Sequence, residues 1–386
     1  MDLSQHWQLN PAIDFLNHGS FGATPTVVLA EQRRWQDALE SDPIRFLAPE
    51  RELEPKLDAV RQTLAELIGA PAHDLAFVRN ATDGVNAVFR SLPLQSGDEI
   101  IVTNHGYNAC INAARFAAER WGATIRTVQL PFPIDASQQV VDLVDAAFTD
   151  RSRILLIDHV TSPTGLVLPV DEIIRRAHAR GVRVMVDGAH APGMLPLNLQ
   201  QLQPDYYTSN NHKWLCAPKV SGFLYVRPEW QEEVRPTVIS HAANRARPGR
   251  SRFLAEFDWT GTFDPTPLLA LPTSIHFLSN LYPGGLAEHL QRNHQLLLEA
   301  RNVLCSALKI SPPAPDEMLG TLATIPLHDV SDPEAYGAWL YREHRFELPV
   351  FTCPGASGMS VLRIAVQAYN RLEQIERLAR VVSLRS

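Results

Sequence analysis

Several polar residues of this sequence directly follow short apolar runs that have the composition of β-strands. The run VRVMV ends in Asp187, the run RILLI ends in Asp158 and His159, and the run DYYTSN leads into His212 and Lys213. Taken singly, a carboxylate at a strand end is usually a loop cap, and a lysine is usually a surface charge. Ligands of open α/β sheets bind beyond the carboxyl ends of the strands, so these side chains together predict a functional site at that edge.

A lysine, a carboxylate and a set of anion donors are the groups that pyridoxal 5′-phosphate (PLP) requires of a protein. The Lys213 amine would hold the cofactor aldehyde as a Schiff base, and Asp187 would keep the pyridine nitrogen protonated. A protonated ring accepts the electron pair that remains when a bond at the α-carbon of an amino acid breaks. The sequence therefore predicts a PLP-dependent enzyme whose small-molecule substrate is an amino acid.

The phosphate of such a cofactor needs donors, and residues 80–84 offer them. This segment joins an apolar strand to a helix, so the backbone N–H groups of Ala81, Thr82 and Asp83 and the Thr82 hydroxyl form a candidate phosphate site. A simple helix N-cap by Thr82 explains the same residues. Signatures of other chemistries are missing: the sequence contains no GxxxxGK, HExxH or GxSxG motif, and no GxGxxG follows the first strand. No spacing of Cys and His predicts a metal site.

The elements that position these residues alternate between strand and helix from about residue 75 to residue 227. Such alternation predicts βαβ units and a largely parallel sheet of about seven strands between helices. After about residue 265, a long helix followed by mixed strands and helices predicts a smaller α+β domain. We therefore expect an α/β fold in three parts: an N-terminal segment (1–24) that contributes to the site and the small domain, a large domain (25–264) and a small C-terminal domain (265–386).

Composition narrows the possible partners. The chain has 386 residues, a formal net charge of −7 and a pI near 6.1, which argues against a general nucleic-acid binder. The basic run 245–252 is interpreted as a solvated loop. Four scattered cysteines argue against a disulfide framework. The sequence contains no signal-peptide pattern and no apolar stretch of about 18 residues, so we expect a soluble protein of the cytoplasm that does not enter a membrane.

Taken together, seven segments resemble the class V aminotransferase family of fold-type I PLP enzymes, and especially its isopenicillin N epimerase-like members. The segments are LNHGSFGATP (16–25), RNATDGVNAV (79–88), DHVTSPTGLVLPV (158–170), VDGAHAPG (186–193), DYYTSNNHKWLCAP (205–218), WTGTFDP (259–265) and LRIAVQAYN (362–370). They follow one another in the family's order over nearly the whole chain. The resemblance implies the fold-type I architecture, PLP as the cofactor and a homodimer with composite sites.

The resemblance also implies roles for individual residues. Lys213 corresponds to the Schiff-base lysine, Asp187 to the pyridinium partner, and His190 to a contact of the ring O3′ or of the Schiff base. Thr262 corresponds to a residue that reaches the phosphate of the neighbouring subunit. Arg363 corresponds to the arginine that grips the substrate α-carboxylate, for which its fork geometry is suited. The other cofactor-binding positions are Ala81, Thr82, Asp83, Ser162, Asn210 and His212.

For a few further residues the resemblance implies a role less specifically. Either His105 or Tyr107 should stack on the ring face, and Asn17 and His18 should lie near the substrate. Cysteine desulfurases of this family use a cysteine on a mobile loop to take sulfur from the substrate, but Cys353 within PVFTCPG lacks the usual glycine and histidine context. Desulfuration through a persulfide is therefore disfavoured, and Cys353 is interpreted as a small apolar filler.

Three reactions share such a cofactor site: epimerisation or racemisation at the α-carbon, elimination at a carbon–sulfur bond, and transamination. Which bond breaks depends on which one stands perpendicular to the ring, and the substrate anchors set that orientation. On the resemblance we expect an epimerase first, with a C–S lyase or an aminotransferase as alternatives. A non-catalytic PLP-binding dimer is the alternative of another class; it is disfavoured because no helix-turn-helix segment or basic patch is appended.

Overall fold

The computed structural model describes residues 3–354 and 358–384, and within them strands and helices alternate as the sequence predicts. The strands, in chain order, are β1 (Asp14–Phe15), β2 (Leu75–Val78), β3 (Glu99–Thr103), β4 (Thr124–Val128), β5 (Ser152–Asp158), β6 (Arg183–Asp187), β7 (Tyr206–Asn210), β8 (Gly222–Val226), β9 (Leu322–Leu327), β10 (Phe346–Glu347), β11 (Val350–Thr352) and β12 (Ser360–Ala365).

The α-helices surround these strands. In chain order they are α1 (His18–Phe21), α2 (Thr26–Ser41), α3 (Pro43–Leu47), α4 (Glu54–Ile68), α5 (Ala81–Ser91), α6 (Asn108–Trp121), α7 (Ser137–Ala147), α8 (Val170–Ala179), α9 (Leu199–Leu202), α10 (Arg252–Asp258), α11 (Thr266–Leu269), α12 (Leu271–Ser279), α13 (Gly285–Leu308), α14 (Pro333–His344) and α15 (Leu372–Val382). Among the described residues, none of these helices is both long enough and apolar enough to cross a membrane.

The large sheet has seven strands in the order β2-β8-β7-β6-β5-β3-β4. All neighbouring pairs are parallel except the two pairs that β8 makes, which are antiparallel. Its central strands are apolar on both faces because helices cover both sides, as is usual for parallel sheets. The predicted α/β architecture with a mostly parallel seven-stranded sheet is confirmed.

This topology brings polar strand ends to one edge of the sheet. β3, β5, β6 and β7 all point their carboxyl ends to that edge, and β2 does so too because two antiparallel pairs separate it from β7. Asp158 at the end of β5 stands in register with Asp187 at the end of β6. Helix α5 begins just after β2, so its N-terminus reaches the same edge. The strand order thus assembles the site from segments distant in sequence.

A smaller antiparallel sheet, β11-β12-β9, lies in the C-terminal part and packs against α13. The N-terminal segment contacts this C-terminal part twice: β1 pairs with β10 in a separate two-stranded sheet, and Asn17 forms a bridge with Ala365 on β12. Among the described residues, the largest of three clusters of buried apolar residues includes side chains of both the large and the small sheet. The division into 1–24, 25–264 and 265–386 stays a prediction.

Gly22 fixes how the N-terminal segment meets the large sheet. It has a φ of +69°, and a Cβ atom there would lie 2.0 Å from the backbone oxygen of His212. Any other residue would therefore clash with the loop that carries Lys213. The close approach lets residues 17–21 border the site.

Candidate active site

A cavity of about 270 Å³ lies at the carboxyl edge of the large sheet. Its walls come from the loops after β3, β5, β6 and β7 and from the start of α5, together with Ser20 and Phe21 of the N-terminal segment. Nine residues predicted from the sequence line it: Ala81, Thr82, Tyr107, Ser162, Asp187, His190, Asn210, His212 and Lys213.

Lys213 faces this cavity beside His190. The Nζ atom of Lys213 lies 3.0 Å from Nε2 of His190. Burial lowers the pKa of Lys213 to about 8, whereas Asp187 acts in the opposite direction. A lysine with a lowered pKa is uncharged in a larger fraction of molecules at neutral pH, and the uncharged amine is the form that attacks a carbonyl carbon.

Trp214 determines which nitrogen of His190 carries the proton. Its indole N–H donates to Nδ1 of His190 at 3.2 Å. Burial, and then the nearby Lys213, hold the pKa of His190 well below its ordinary value, so the ring is neutral. An indole N–H can only donate, so Nδ1 accepts and Nε2 carries the ring proton. Nε2–H therefore donates to Lys213, and this hydrogen bond requires an uncharged amine.

Two buried carboxyl groups stand at the floor of the cavity. Asp158 and Asp187 end neighbouring parallel strands in register, so their side chains point to the same face and lie side by side. Burial raises the pKa of both, and repulsion from Asp187 raises that of Asp158 well above its ordinary value. Two adjacent carboxylates do not both ionise readily, so the raised pKa favours the protonated form of Asp158.

Asp187 is held in place from both sides. Its Oδ1 atom accepts a hydrogen bond from the backbone N–H of Ala189 at 3.0 Å, and Oδ2 accepts one from the Cys110 thiol at 3.1 Å. A cation placed between these oxygens and the cavity would stabilise the ionised form of Asp187. The pair therefore fits the protonated ring nitrogen of the cofactor predicted from the sequence.

The start of α5 offers a free backbone donor to the cavity. Asn210 accepts from the Ala81 N–H at 2.9 Å, and Asn80 accepts from the Asp83 N–H at 2.9 Å. The Thr82 N–H has no acceptor within residues 3–354 and 358–384. Anions bind at such free donors of a helix N-terminus, so this end of α5 fits a phosphate group. The N-cap of α5 is Asn80, not Thr82.

His212 lines the cavity on the other side of Asn210. Its Nδ1 atom lies 3.0 Å from the backbone oxygen of Ser221 and must donate to it, because a carbonyl can only accept. Burial lowers the pKa of His212 to about 4, so Nε2 is unprotonated in the neutral ring. An anionic phosphate beside Nε2 would raise this pKa and allow Nε2 to donate.

Arg363 lies on β12 at the junction of the two sheets and is 6% exposed. Its Nη1 donates to the backbone oxygen of Ser162 at 2.6 Å and to the Ser162 hydroxyl at 3.1 Å, and Nη2 donates to the Ser20 hydroxyl at 3.0 Å. Its Nε is buried and has no partner among the described residues. A buried guanidinium with a free donor and without a carboxylate partner in the described part of the chain fits the carboxylate of a ligand.

Three residues predicted to bind the cofactor do not line this cavity. His105 is buried behind it, with Nδ1 3.0 Å from the Thr164 hydroxyl. The Asp83 carboxylate turns away, accepts from the Thr237 hydroxyl at 2.9 Å and pairs with Arg79. Thr262 lines a separate cavity of about 280 Å³. Of the two ring-stacking candidates, only Tyr107 therefore reaches the site within one chain, and the cross-subunit role of Thr262 stays a prediction.

Asn17 and His18, expected near the substrate, support residues of the site. Asn17 accepts from the Ser20 hydroxyl at 2.6 Å, and Ser20 in turn bonds Arg363. His18 is fully buried, with Nε2 3.0 Å from the backbone oxygen of Lys213 and Nδ1 2.8 Å from the Tyr369 hydroxyl. His18 thus orients the lysine loop from below and does not line the cavity.

The sequence patterns did not assign roles to Asp158, Cys110, Ser20 or Trp214. Asp158 was visible as a polar strand end, but nothing in the sequence showed that it would stand in register with Asp187. Cys110 lies far from Asp187 in sequence, and only the packing of α6 on the sheet brings its thiol to Oδ2. Such contacts depend on strand order and helix packing, which residue spacing does not report.

Comparisons with known proteins show the family of this chain. The profile of the aminotransferase class-V family matches residues 23–378. The chain is 35% identical to the isopenicillin N epimerase of Streptomyces clavuligerus, over 96% of this chain and 94% of that protein. It is 30% identical to a probable chloroplastic L-cysteine desulfhydrase of Arabidopsis thaliana, over 96% and 82% respectively.

The fold likewise matches solved structures. The structure of the cystine C–S lyase C-DES in complex with its product cysteine persulfide superposes with a TM-score of 0.81 at 23% identity, over 96% of this chain and 97% of that one. An apo cysteine desulfurase from Thermococcus onnurineus superposes with a TM-score of 0.82 at 17% identity, over 99% and 96%. With the family profile covering nearly all of the chain, the protein belongs to the class-V aminotransferase family and is a PLP-dependent enzyme of fold type I.

Proposed function

We propose that the protein catalyses epimerisation at the α-carbon of an amino acid. The observation that carries this proposal is that Lys213 and Tyr107, which can both exchange protons, line one cavity from different strands. Lys213 follows β7 and Tyr107 follows β3, and the ends of β6 and β5 lie between them. An epimerase needs a proton acceptor and a proton donor on opposite faces of the reacting carbon, and this separation is suited to that task. Relatives at 35% and 33% identity named isopenicillin N epimerase support the same reaction.

Different residues of the chain bind the cofactor and the substrate in this proposal. Bound PLP supplies an electron sink that makes the α-hydrogen of an attached amino acid acidic. Asp187 holds the ring nitrogen, and the free amide of Thr82 with Asn210 and His212 holds the phosphate. Arg363 binds the α-carboxylate and thereby orients the α-hydrogen toward Lys213.

Proton transfer then falls to two side chains. The uncharged Lys213 amine removes the α-hydrogen as a proton, and the Nε2–H of His190 keeps that amine oriented. The Tyr107 hydroxyl returns a proton from the other side. His190 and His105 are poor candidates for that second donor, because His190 lies on the Lys213 side and His105 does not line the cavity.

Elimination at a carbon–sulfur bond is the second candidate. It is favoured by relatives named L-cysteine desulfhydrase at 27–30% identity and by a hercynylcysteine sulfoxide lyase at 24% identity. Elimination needs one proton acceptor at the α-carbon, and Lys213 alone can fill that role. A persulfide on the protein is disfavoured, since all four cysteines are buried and burial raises the pKa of Cys353 to about 11.

The test incubates the holoenzyme with a panel of amino acids in heavy water. An epimerase returns an intact amino acid of mixed configuration with deuterium at the α-carbon, whereas a lyase releases ammonia and a 2-oxo acid. Tyr107→Phe should still exchange the α-hydrogen through Lys213 but should lose inversion by about 100-fold or more. Ammonia released in proportion to the substrate consumed, with no inverted amino acid, would reject epimerisation in favour of elimination.

We further propose a homodimer in the cytoplasm. Support for a second subunit comes from exposed apolar side chains at the mouth of the site, Phe21 at 74% and Val220 at 54% exposure. Thr262 lines the neighbouring cavity, which shares Val220 and Arg79 with the main one. Its hydroxyl is therefore placed near the surface that a partner would cover. Sedimentation of the holoenzyme tests the dimer, and a monomeric enzyme with full activity would reject it.

A further inference from the structure

The thiol of Cys110 contacts the carboxylate that is proposed to hold the ring nitrogen of PLP. Its Sγ atom lies 3.1 Å from Oδ2 of Asp187, and the cysteine is 1% exposed. Cys110 lies in the first turn of α6, a helix that begins directly after Tyr107. The start of α6 therefore contributes both the Tyr107 side chain, which lines the active-site cavity, and a contact to Asp187.

We propose that Cys110 is a positioning residue, whose S–H group donates to Asp187, stabilises the ionised carboxylate and fixes its orientation toward the ring nitrogen of bound PLP. This inference rests on the proposed contact between Asp187 and the ring nitrogen. It applies to epimerisation and to elimination alike, because both reactions need the same protonated ring. Neither the sequence patterns nor the resemblance to the family assigns a role to this cysteine.

The hydrogen bond runs from sulfur to oxygen. Burial, and then the negative charge of Asp187, raise the pKa of Cys110 well above its ordinary value, so the sulfur keeps its proton. An ionised Asp187 can only accept, and a donor bound to a charged acceptor makes a stronger hydrogen bond than one bound to a neutral acceptor. A buried thiol that keeps its proton is a poor nucleophile, so the contact favours a donor role for Cys110 over a covalent one.

Cys110 opposes the effect of burial on Asp187. Burial raises the pKa of Asp187, and the hydrogen bond from Cys110 is the largest of the influences that lower it, followed by the N–H of Ala189 and the charge of Lys213. The positive end of the α6 dipole lies at the same first turn and also favours a negative charge there. Without the thiol, a larger fraction of Asp187 would be protonated and unable to pair with a protonated ring nitrogen.

The thiol also helps to fix the orientation of the carboxylate. Within residues 3–354 and 358–384, the Asp187 carboxylate accepts from two donors, the Ala189 N–H on Oδ1 at 3.0 Å and the Cys110 thiol on Oδ2. Donors on different oxygens restrict rotation of the carboxylate group, and each oxygen can still accept a second hydrogen bond. The donor on Ala189 belongs to the backbone. The donor on Cys110 is therefore the one that a substitution can remove.

The dissociation constant of PLP measures this contact without depending on turnover. It is obtained from equilibrium dilution of the holoenzyme, followed by visible absorbance. Cys110→Ala should raise the constant about threefold to tenfold, because one hydrogen bond to a charged group is lost. Cys110→Ser keeps a donor of similar size and should stay within about twofold of wild type. Cys305→Ala is the matched control, since it removes a buried cysteine of α13 that does not line the cavity.

A double-mutant cycle separates a contact through Asp187 from a packing effect. Asp187→Asn alone should raise the dissociation constant, and Cys110→Ala added to it should then change the constant by less than about twofold. A packing effect would persist at full size in the Asp187→Asn background. Turnover gives a second reading: Cys110→Ala should lower kcat about threefold to tenfold and leave KM within about twofold, because the thiol is proposed to act on the cofactor ring and not on the substrate.

Equal PLP dissociation constants in wild type and Cys110→Ala, or equal losses in Cys110→Ala and Cys110→Ser, would overturn the inference. A full effect of Cys110→Ala in the Asp187→Asn background would overturn it too. If Cys110→Ala does not fold, Cys110→Val, which fills the space without a donor, replaces it in both comparisons with the same expected results. An unchanged constant in Asp187→Asn would reject the proposed contact of Asp187 with the ring nitrogen, and the inference with it, whereas epimerisation is decided separately by the products formed in heavy water.

Discussion

The Nε2 atom of His190 lies 3.0 Å from the Nζ atom of Lys213, while the Trp214 N–H holds the other ring nitrogen of His190. The two contacts act in sequence: Trp214 places the ring proton on Nε2, and that proton then points at the lysine. A positively charged Lys213 would bring two donors face to face. The arrangement therefore favours the reactive, uncharged amine before the cofactor or substrate arrives.

Replacing Trp214 with phenylalanine should weaken this preference. Without the indole N–H, the proton of His190 can move to Nδ1, and Nε2 can then accept from a charged lysine, so the pKa of Lys213 rises above about 8. We expect the rate at which the apoenzyme captures PLP at pH 7.5, followed by visible absorbance, to fall about threefold to tenfold and its pH profile to shift upward. Trp121→Phe, at the exposed end of α6, is the control. An unshifted profile in a folded Trp214→Phe protein would remove this role.

From the buried carboxyl pair Asp158 and Asp187 we predict how the free energy of unfolding depends on pH. The pKa of Asp158 is raised on folding, so its contribution to stability is fully present below its ordinary pKa of 3.8 and is lost as the pH rises toward the folded value. Asp158→Asn cannot ionise, yet it keeps an oxygen that can accept from the Tyr107 backbone. The apoenzyme variant should therefore be more stable than wild type at pH 8, on the order of 1–2 kcal/mol, and no more stable at pH 4.

Urea unfolding of the apoenzyme at both pH values measures this difference. Asp37→Asn, at an exposed position on α2, controls for the loss of one surface charge and should change the free energy of unfolding by less than about 0.5 kcal/mol. A destabilised Asp158→Asn protein at pH 8 would mean that Asp158 is ionised and paired in the folded state.

Arg363→Lys should weaken substrate binding and spare the cofactor. Lysine keeps the charge but loses the planar fork, so it cannot hold the hydroxyl groups of Ser162 and Ser20 and a carboxylate at the same time. We expect KM for the α-amino acid to rise by about 10-fold to 100-fold, equivalent to about 1.5–3 kcal/mol. PLP content, measured by absorbance after gel filtration, should stay the same. Unchanged kinetics would show that the carboxylate is bound elsewhere.

Lys213 should be the residue that binds PLP covalently. Borohydride reduction should attach the cofactor to a peptide that contains Lys213, and Lys213→Ala should lose the visible band and all turnover while remaining folded. Lys219 is the natural control, because its Nζ donates to the backbone oxygen of Gly22 at 3.1 Å and does not line the cavity. Mass spectrometry of the labelled peptide decides between them, and a label on Lys219 would contradict the assignment.

The sequence was sufficient to predict the seven-stranded sheet, because its strands and helices have distinct hydrophobic periods. The polar residues at the ends of the apolar runs predicted the edge that carries the site, and with it Lys213 and Asp187. These features are local: hydrophobic alternation and turn residues report burial and chain reversal within about ten residues. The resemblance to the family added Arg363 to the predicted site, because the residues around Arg363 in its own strand do not indicate a role for it.

Only the tertiary structure decided which strand ends are neighbours and which side chains meet across them. The order β7-β6-β5-β3 places Asp158 beside Asp187 and separates Tyr107 from Lys213. The packing of α6 and β12 also brings Arg115 and Arg363, which are far apart in the sequence, to the wall of one cavity. Residue spacing in the sequence does not predict such contacts, because strand order, register and helix packing depend on the burial of the whole core and not on any one segment.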